Sequence, residues 1–139
     1  MDYKLLSEKA IEAKSKALPP YSNFHVGAAL LTKDNMIYSG CNVEVSSYSL
    51  TICAERNAIF KAISEGERNF KAIAIASDDQ DFCPPCGACR QVISDLCGDI
   101  DVIMVNQKKE LKIVKLSDLL PFPFGSERLS QKSKVKSQK

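Results

Sequence analysis

The chain has 139 residues, 45% hydrophobic and 26% charged, with a formal net charge of +2. That length suits one compact domain with a true core, and so small a charge does not by itself call for a polyanionic partner. No apolar run approaches the roughly 18 to 20 residues that cross a bilayer, and the start Met1-Asp2-Tyr3-Lys4 is too charged for a secretory signal, so a cytoplasmic location is expected.

From Tyr3 to Leu18 the apolar positions Leu6, Ala10, Ala13 and Ala17 fall at helical spacing, and Pro19-Pro20 stops the pattern. Val26 to Thr32 and Met36 to Cys41 read as strands joined by the turn residues Lys33-Asp34-Asn35, a hairpin. After the polar stretch Ser46 to Ser49, a second helix is marked by Ala54, Ala58, Ile59, Ala62 and Ile63, and ends near Gly66. Phe70 to Ala76 runs apolar, as a buried strand does, and the loop from Ser77 to Pro85 carries acids and two prolines. A third helix starts at Cys86, is marked by Cys89, Ile93, Leu96 and Cys97, and closes at Gly98. Asp101 to Asn106 and Leu111 to Val114 give two further strands around the turn Gln107 to Glu110.

This order predicts a three-layer α/β/α sandwich with a mixed five-stranded sheet, its crossover helices linking roughly parallel neighbours. The domain is expected over residues 1–129. Ser126 to Lys139 holds five basic residues against Glu127, a net +4 that leaves the rest of the chain slightly acidic. The segment 130–139, with one apolar residue, reads as a basic disordered tail in contact with solvent.

Chemistry concentrates in Cys53-Ala54-Glu55-Arg56 and Pro85-Cys86-Gly87-Ala88-Cys89. Cys86 and Cys89 stand one helical turn apart, so their sulfurs suit two corners of a tetrahedron. Cys53 opens the other central helix, and the partial positive charge of two helix N-termini favours thiolates. Three protein ligands leave a zinc ion one position for water, which distinguishes a catalytic site from a closed structural one. Glu55 follows Cys53 by two residues, a turn of about 200° on a regular helix. It is therefore badly placed as a fourth ligand and well placed to move protons at that water. Three thiolates leave the zinc core at net −1, and Arg56 is the candidate to withdraw that charge by bonding to sulfur.

The six cysteines permit other readings. An even number could form disulfides, and Cys86-x-x-Cys89 alone could be a redox pair, but neither explains Cys53-x-Glu55. A closed four-sulfur site with Cys83 is weakened by Pro84-Pro85, which extend the chain away from the helix axis. Cys41 and Cys97 read as small buried residues, and His25, the sole histidine, as a satisfied or exposed side chain beside a strand.

Cys-x-Glu followed by Pro-Cys-x-x-Cys resembles the signature of the zinc-dependent cytidine deaminases. The resemblance extends to Ser22-Asn23-Phe24-His25-Val26-Gly27-Ala28-Ala29-Leu30, Gly40-Cys41-Asn42-Val43-Glu44, Cys89-Arg90-Gln91, Leu119-Leu120-Pro121 and Phe124-Gly125, and looks like the small homotetrameric class over roughly residues 5–129. Ser126 and Cys83 depart from the usual pattern. The resemblance implies one zinc per subunit on Cys53, Cys86 and Cys89, with Glu55 as the proton carrier. It implies a substrate site made by Phe24 against the pyrimidine, Asn42 and Glu44 on the ribose hydroxyls, and Ala54. Tyr48 and Phe124 would reach into a neighbouring subunit's pocket. The implied reaction is hydrolysis of cytidine and 2′-deoxycytidine to the uracil nucleosides and ammonia, a pyrimidine-salvage step. Three alternatives stay open: another aminopyrimidine nucleoside as substrate, deamination of RNA or DNA, for which the acidic body and absence of Trp are unsuited, and a noncatalytic zinc module.

Overall fold

A computed structural model describes residues 2–125 and Leu129; the expected tail at 130–139 and the departure at Ser126 lie outside them. Asp2 starts the first helix, α1 (Tyr3–Lys14), by accepting the Lys4 N–H at 2.9 Å. The helix ends four residues before the expected Leu18. Ser15 caps it, with its hydroxyl on the Glu12 carbonyl at 2.6 Å, and Leu18 then pairs in a bridge with Val43. The proline pair set only an outer limit; the bridge takes the chain out of the helix sooner.

The strands are β1 (Val26–Thr32), β2 (Ile37–Cys41), β3 (Phe70–Ser77), β4 (Asp101–Val105) and β5 (Leu111–Lys115), in the sheet order β2-β1-β3-β4-β5. Only β3 and β4 are parallel neighbours. This corrects the expectation of parallel neighbours at each crossover, because β1 runs antiparallel between β2 and β3. The remaining helices are α2 (Ala54–Ser64), α3 (Gly87–Cys97) and the short α4 (Leu116–Leu119), with a 3-10 turn at Tyr48–Leu50.

Alternation along the strands divides the core into two layers. Ala28, Leu30, Ile73, Ile75, Val102 and Met104 face α2 and α3, where they meet Ala58, Ile59 and Ile93. Ala29, Leu31, Ala72, Ala74, Ala76 and Ile103 face Leu6 and Ala10 of α1. The alanines let α1 lie close to the sheet. Leu6, Leu30, Ile59, Ile73 and Ile93 are fully buried, each contributing about 1.5–3 kcal/mol by leaving water. Two glycines mark where helix backbone touches strand. A Cβ on Gly27 would stand 2.1 Å from the Ala10 carbonyl oxygen, and one on Gly40 would stand 2.6 Å from the Ala58 nitrogen.

No helix among the described residues is long and apolar enough to cross a membrane. All six cysteines are unpaired, and Cys41 and Cys97 are half-buried, short of the full burial expected of them.

Candidate active site

Cys53 and Cys86 occupy the N-cap positions of α2 and α3, both with extended backbone. The Cys53 sulfur makes no capping bond, and the Cys86 sulfur accepts the Cys89 N–H at 3.4 Å. Cys89, one turn into α3, is completely buried. The three sulfurs lie within 4.8 Å of one another, with Cys53 and Cys86 separated by 3.8 Å. A tetrahedral ion with Zn–S bonds of about 2.3 Å holds its sulfurs about 3.8 Å apart, so the donor set fits zinc in number, type and spacing. Cys83 is outside this cluster, its sulfur directed to the Pro84 carbonyl at 3.7 Å.

Electrostatics support the same use. The Cys53 thiol is held low, at about 5, first by the hydrogen bond it shares with Cys89 and next by Arg56, whose Nη2 donates to the Cys53 sulfur at 3.3 Å. Cys89 is pushed up as the other partner in that bond, with burial adding to the effect. The Arg56 Nε is buried without a hydrogen-bond partner among the described residues. Glu55 is 4% exposed. Burial, ahead of every other influence, raises its carboxyl to about 7, near the working range of a general acid or base.

Cys53, Glu55 and Cys86 open onto one cavity of about 300 Å³. Ala54, Phe24, Asn42 and Glu44 line it with them, together with Val26, Ile75 and Cys83. Glu44 is prepared as an acceptor: its Oε1 takes the Tyr21 and Ser22 N–H groups at 3.0 Å each, and its Oε2 takes the Ser22 hydroxyl at 2.5 Å. The Ser22 hydroxyl first, and then the Ser22 N–H, hold this carboxyl below its ordinary range against an opposing effect of burial, with the Tyr21 N–H adding to the lowering. Asn42 is anchored through its amide, accepting from Val26 N–H at 2.9 Å and donating to the Phe24 carbonyl at 2.8 Å. One amide N–H and one carbonyl lone pair remain for a ligand.

The two remaining expected residues stand apart from the cavity within the chain. Tyr48 is 71% exposed and lines an adjoining recess with Tyr21 that shares Ser22, Glu44 and Thr51 with the main cavity. Its ring meets Tyr21 edge-on with centroids 5.4 Å apart. Phe124 lies beside α2 and α3 with Phe60, Val92 and Leu96, its carbonyl accepting from Gln91. Sequence reasoning missed Ser22 as the support of Glu44, and Val26 and Ile75 as cavity walls. A lone serine in a loop and two β-branched residues in strands carry no mark of such use; only the packing reveals it.

Residues 1–106 match the family model described as the cytidine and deoxycytidylate deaminase zinc-binding region. A cytidine deaminase from Sporosarcina psychrophila is 48% identical over 131 residues, spanning 94% of this chain and 96% of that protein. One from Halalkalibacterium halodurans is 47% identical over 131 residues, 94% of this chain and 99% of that protein. Among solved structures, a crystal structure of cytidine deaminase from Burkholderia pseudomallei superimposes with a TM-score of 0.86 at 44% identity, covering 89% of this chain and 100% of that one.

Proposed function

This chain belongs to the cytidine and deoxycytidylate deaminase family, and on that footing we propose how its cavity hydrolyses cytidine and 2′-deoxycytidine. The observation that carries the reading is the cluster of three sulfurs at tetrahedral spacing, two of whose cysteines, Cys53 and Cys86, line one cavity with the buried Glu55. Bound zinc, held by Cys53, Cys86 and Cys89, supplies a water made nucleophilic at neutral pH.

Glu44 and the free valences of Asn42 take the sugar hydroxyls, and free cytosine, which has none, would leave the buried Asn42 amide unpaired. Phe24 lies against the pyrimidine, and Ala54 packs beside it. So held, the base presents C4 towards Glu55. The Glu55 carboxylate takes a proton from the attacking water as the C4–O bond forms, and passes it to N3. It then carries the second proton to the exocyclic amine as the C4–N bond breaks, so that uridine and ammonia leave with all atoms of cytidine and water accounted for. Arg56 draws negative charge from the Cys53 sulfur throughout. The cavity volume suits a single nucleoside.

The catalytic domain is taken as residues 1–129, acting as a homotetramer in the cytoplasm. Unpaired cysteines favour a reducing compartment, and the exposure of Tyr48, Phe122 and Phe124 favours burial against further copies of the chain. The deciding experiment measures zinc stoichiometry and ammonia release with cytidine, deoxycytidine, cytosine, CMP and a short single-stranded oligonucleotide. One zinc per chain with turnover of the two nucleosides is expected; stoichiometric zinc without turnover identifies a structural module and overturns the proposal.

A further inference from the structure

Phe24 reaches the cavity from a segment that is neither helix nor strand. Just before it, Asn23 has the positive φ of 57°, a conformation uncommon outside glycine, and the local bonds are the Asn23 N–H to the Pro19 carbonyl at 2.9 Å and the Phe24 N–H to the Ser22 hydroxyl at 3.1 Å. Two side chains hold it from opposite sides. From the end of β2, the Asn42 amide grips the Phe24 carbonyl and the Val26 N–H. From the end of β3, Asp78 accepts the His25 N–H at 2.7 Å on Oδ2, and the His25 ring Nδ1 lies 2.7 Å from the same oxygen. The Asp78 N–H in turn donates to the His25 carbonyl at 3.1 Å.

Asp78 is itself fixed. Lys14 Nζ lies 3.3 Å from its Oδ1 and donates to the neighbouring Ser77 carbonyl at 3.1 Å, and Gln107 donates to the Asp78 carbonyl at 2.5 Å. Lys14 of α1 thus pairs with the carboxylate, while Gln107, in the turn after β4, fixes the backbone of the same residue just past the end of β3; the carboxylate itself lines neither the cavity nor the metal cluster. The residue it clamps most directly, His25, sits between two cavity residues, Phe24 and Val26. A substrate-positioning residue must be held within about 0.5 Å of its productive place by such supporting bonds.

We infer that Asp78 is a positioning residue for Phe24: its clamp on His25 sets where the aromatic ring stands against the pyrimidine. The inference rests on the assignment of Phe24 to the base made above. Removing the clamp frees the segment to rotate about Asn23 and lets the ring leave the base. The zinc cluster, on α2 and α3, is untouched. The loss therefore falls on nucleoside binding and leaves the chemical step nearly intact.

The test is a double-mutant cycle on the zinc-loaded protein, comparing wild type, Asp78→Ala, Phe24→Ala and the double variant by KM and kcat for cytidine, with zinc content and Tm measured on each. Asp78→Ala should raise KM about tenfold, with kcat within about twofold and zinc unchanged. In the Phe24→Ala background the same change should have little further effect, since contacts that act through one another do not add. Asp78→Asn, whose amide oxygen still accepts the His25 N–H, should recover most of the loss. Lys14→Met removes the ion pair without touching the clamp, and should lower Tm while leaving KM near wild type. If Phe24→Ala leaves KM unchanged, the assignment of Phe24 fails and the inference with it. If Phe24→Ala raises KM but the Asp78 effect adds in full, or Lys14→Met raises KM equally, Asp78 serves only stability and the inference alone is overturned.

Discussion

Two neighbouring side chains in the first turn of α2, the buried Glu55 and the half-buried Arg56, stand beside the same sulfur cluster with opposite charge. In the proposed mechanism Glu55 moves protons without ligating, so Glu55→Gln should keep one zinc per chain and lose about 10²- to 10⁴-fold in kcat. Metal analysis beside an ultraviolet assay on cytidine checks both halves, and near-wild-type turnover would contradict the role. Arg56 acts on the metal through Cys53. Arg56→Ala removes the 3.3 Å bond to that sulfur and should weaken zinc retention about 10- to 100-fold, read by competition with a chromophoric chelator. An unchanged affinity would show that the guanidinium only packs there. The cluster itself was legible in the sequence, because Cys-x-Glu and Pro-Cys-x-x-Cys are local patterns on helix starts. The buried, partnerless Nε of Arg56 was not, because burial comes from long-range packing.

At the scale of elements, the site depends on how closely α2 lies on β2. Gly40 allows that approach, since a methyl group there would stand 2.6 Å from the Ala58 nitrogen and 2.8 Å from the Ala54 carbonyl oxygen. Neither backbone atom can move without shifting the helix that presents Cys53. Gly40→Ala should therefore lower stability by about 1–3 kcal/mol and reduce zinc stoichiometry as well. Gly27→Ala, which presses on α1 at the opposite face, should cost similar stability in a denaturant titration while leaving zinc bound. Strand β1 was legible to the residue, from Val26 to Thr32, because its apolar run is bounded by turn residues. The early end of α1, the 3-10 turn at Tyr48–Leu50 and the four-residue α4 were not. Such short elements show no period, and their ends are set by partners such as Val43 that sit far along the chain. Strand order was likewise hidden, since α2 carries the chain past β1 before β3 is laid down.

Over the whole molecule, the first helix is tied to the far half of the sheet by one polar group. The Tyr3 hydroxyl donates to Asp101 Oδ2 at 2.6 Å, and Lys115 Nζ lies 2.8 Å from Oδ1. The Lys115 bond first, and the Tyr3 bond next, hold the Asp101 carboxyl below its ordinary value. Its contribution is therefore present above the unfolded value near 4 and is lost as pH falls through the lower folded value. Tyr3 behaves in the opposite sense: burial, then the bond to Asp101, push its phenol up to about 12, so its contribution holds below about 10 and fades as pH rises through 12. Calorimetry from pH 6 to pH 3 should show Asp101→Asn starting within about 4 °C below the wild type. The gap should narrow as acid is added; a constant gap would mean that Asp101 matters for shape alone.

Strand β5 closes one margin of the sheet, paired on a single side with β4. Its Leu111 and Ile113 are 37% and 51% exposed, so the margin, unpaired among the described residues, is sticky as well as open, and Lys112 and Lys115 are the charges that interrupt it. Exposed ribbons of this kind recruit their own copies into fibrils unless a lysine makes stacking repulsive. Lys112→Val should accordingly leave the monomer fold in place yet bring on turbidity and thioflavin fluorescence at concentrations where the parent stays clear, so that solubility here is owed to a cation far from any chemistry.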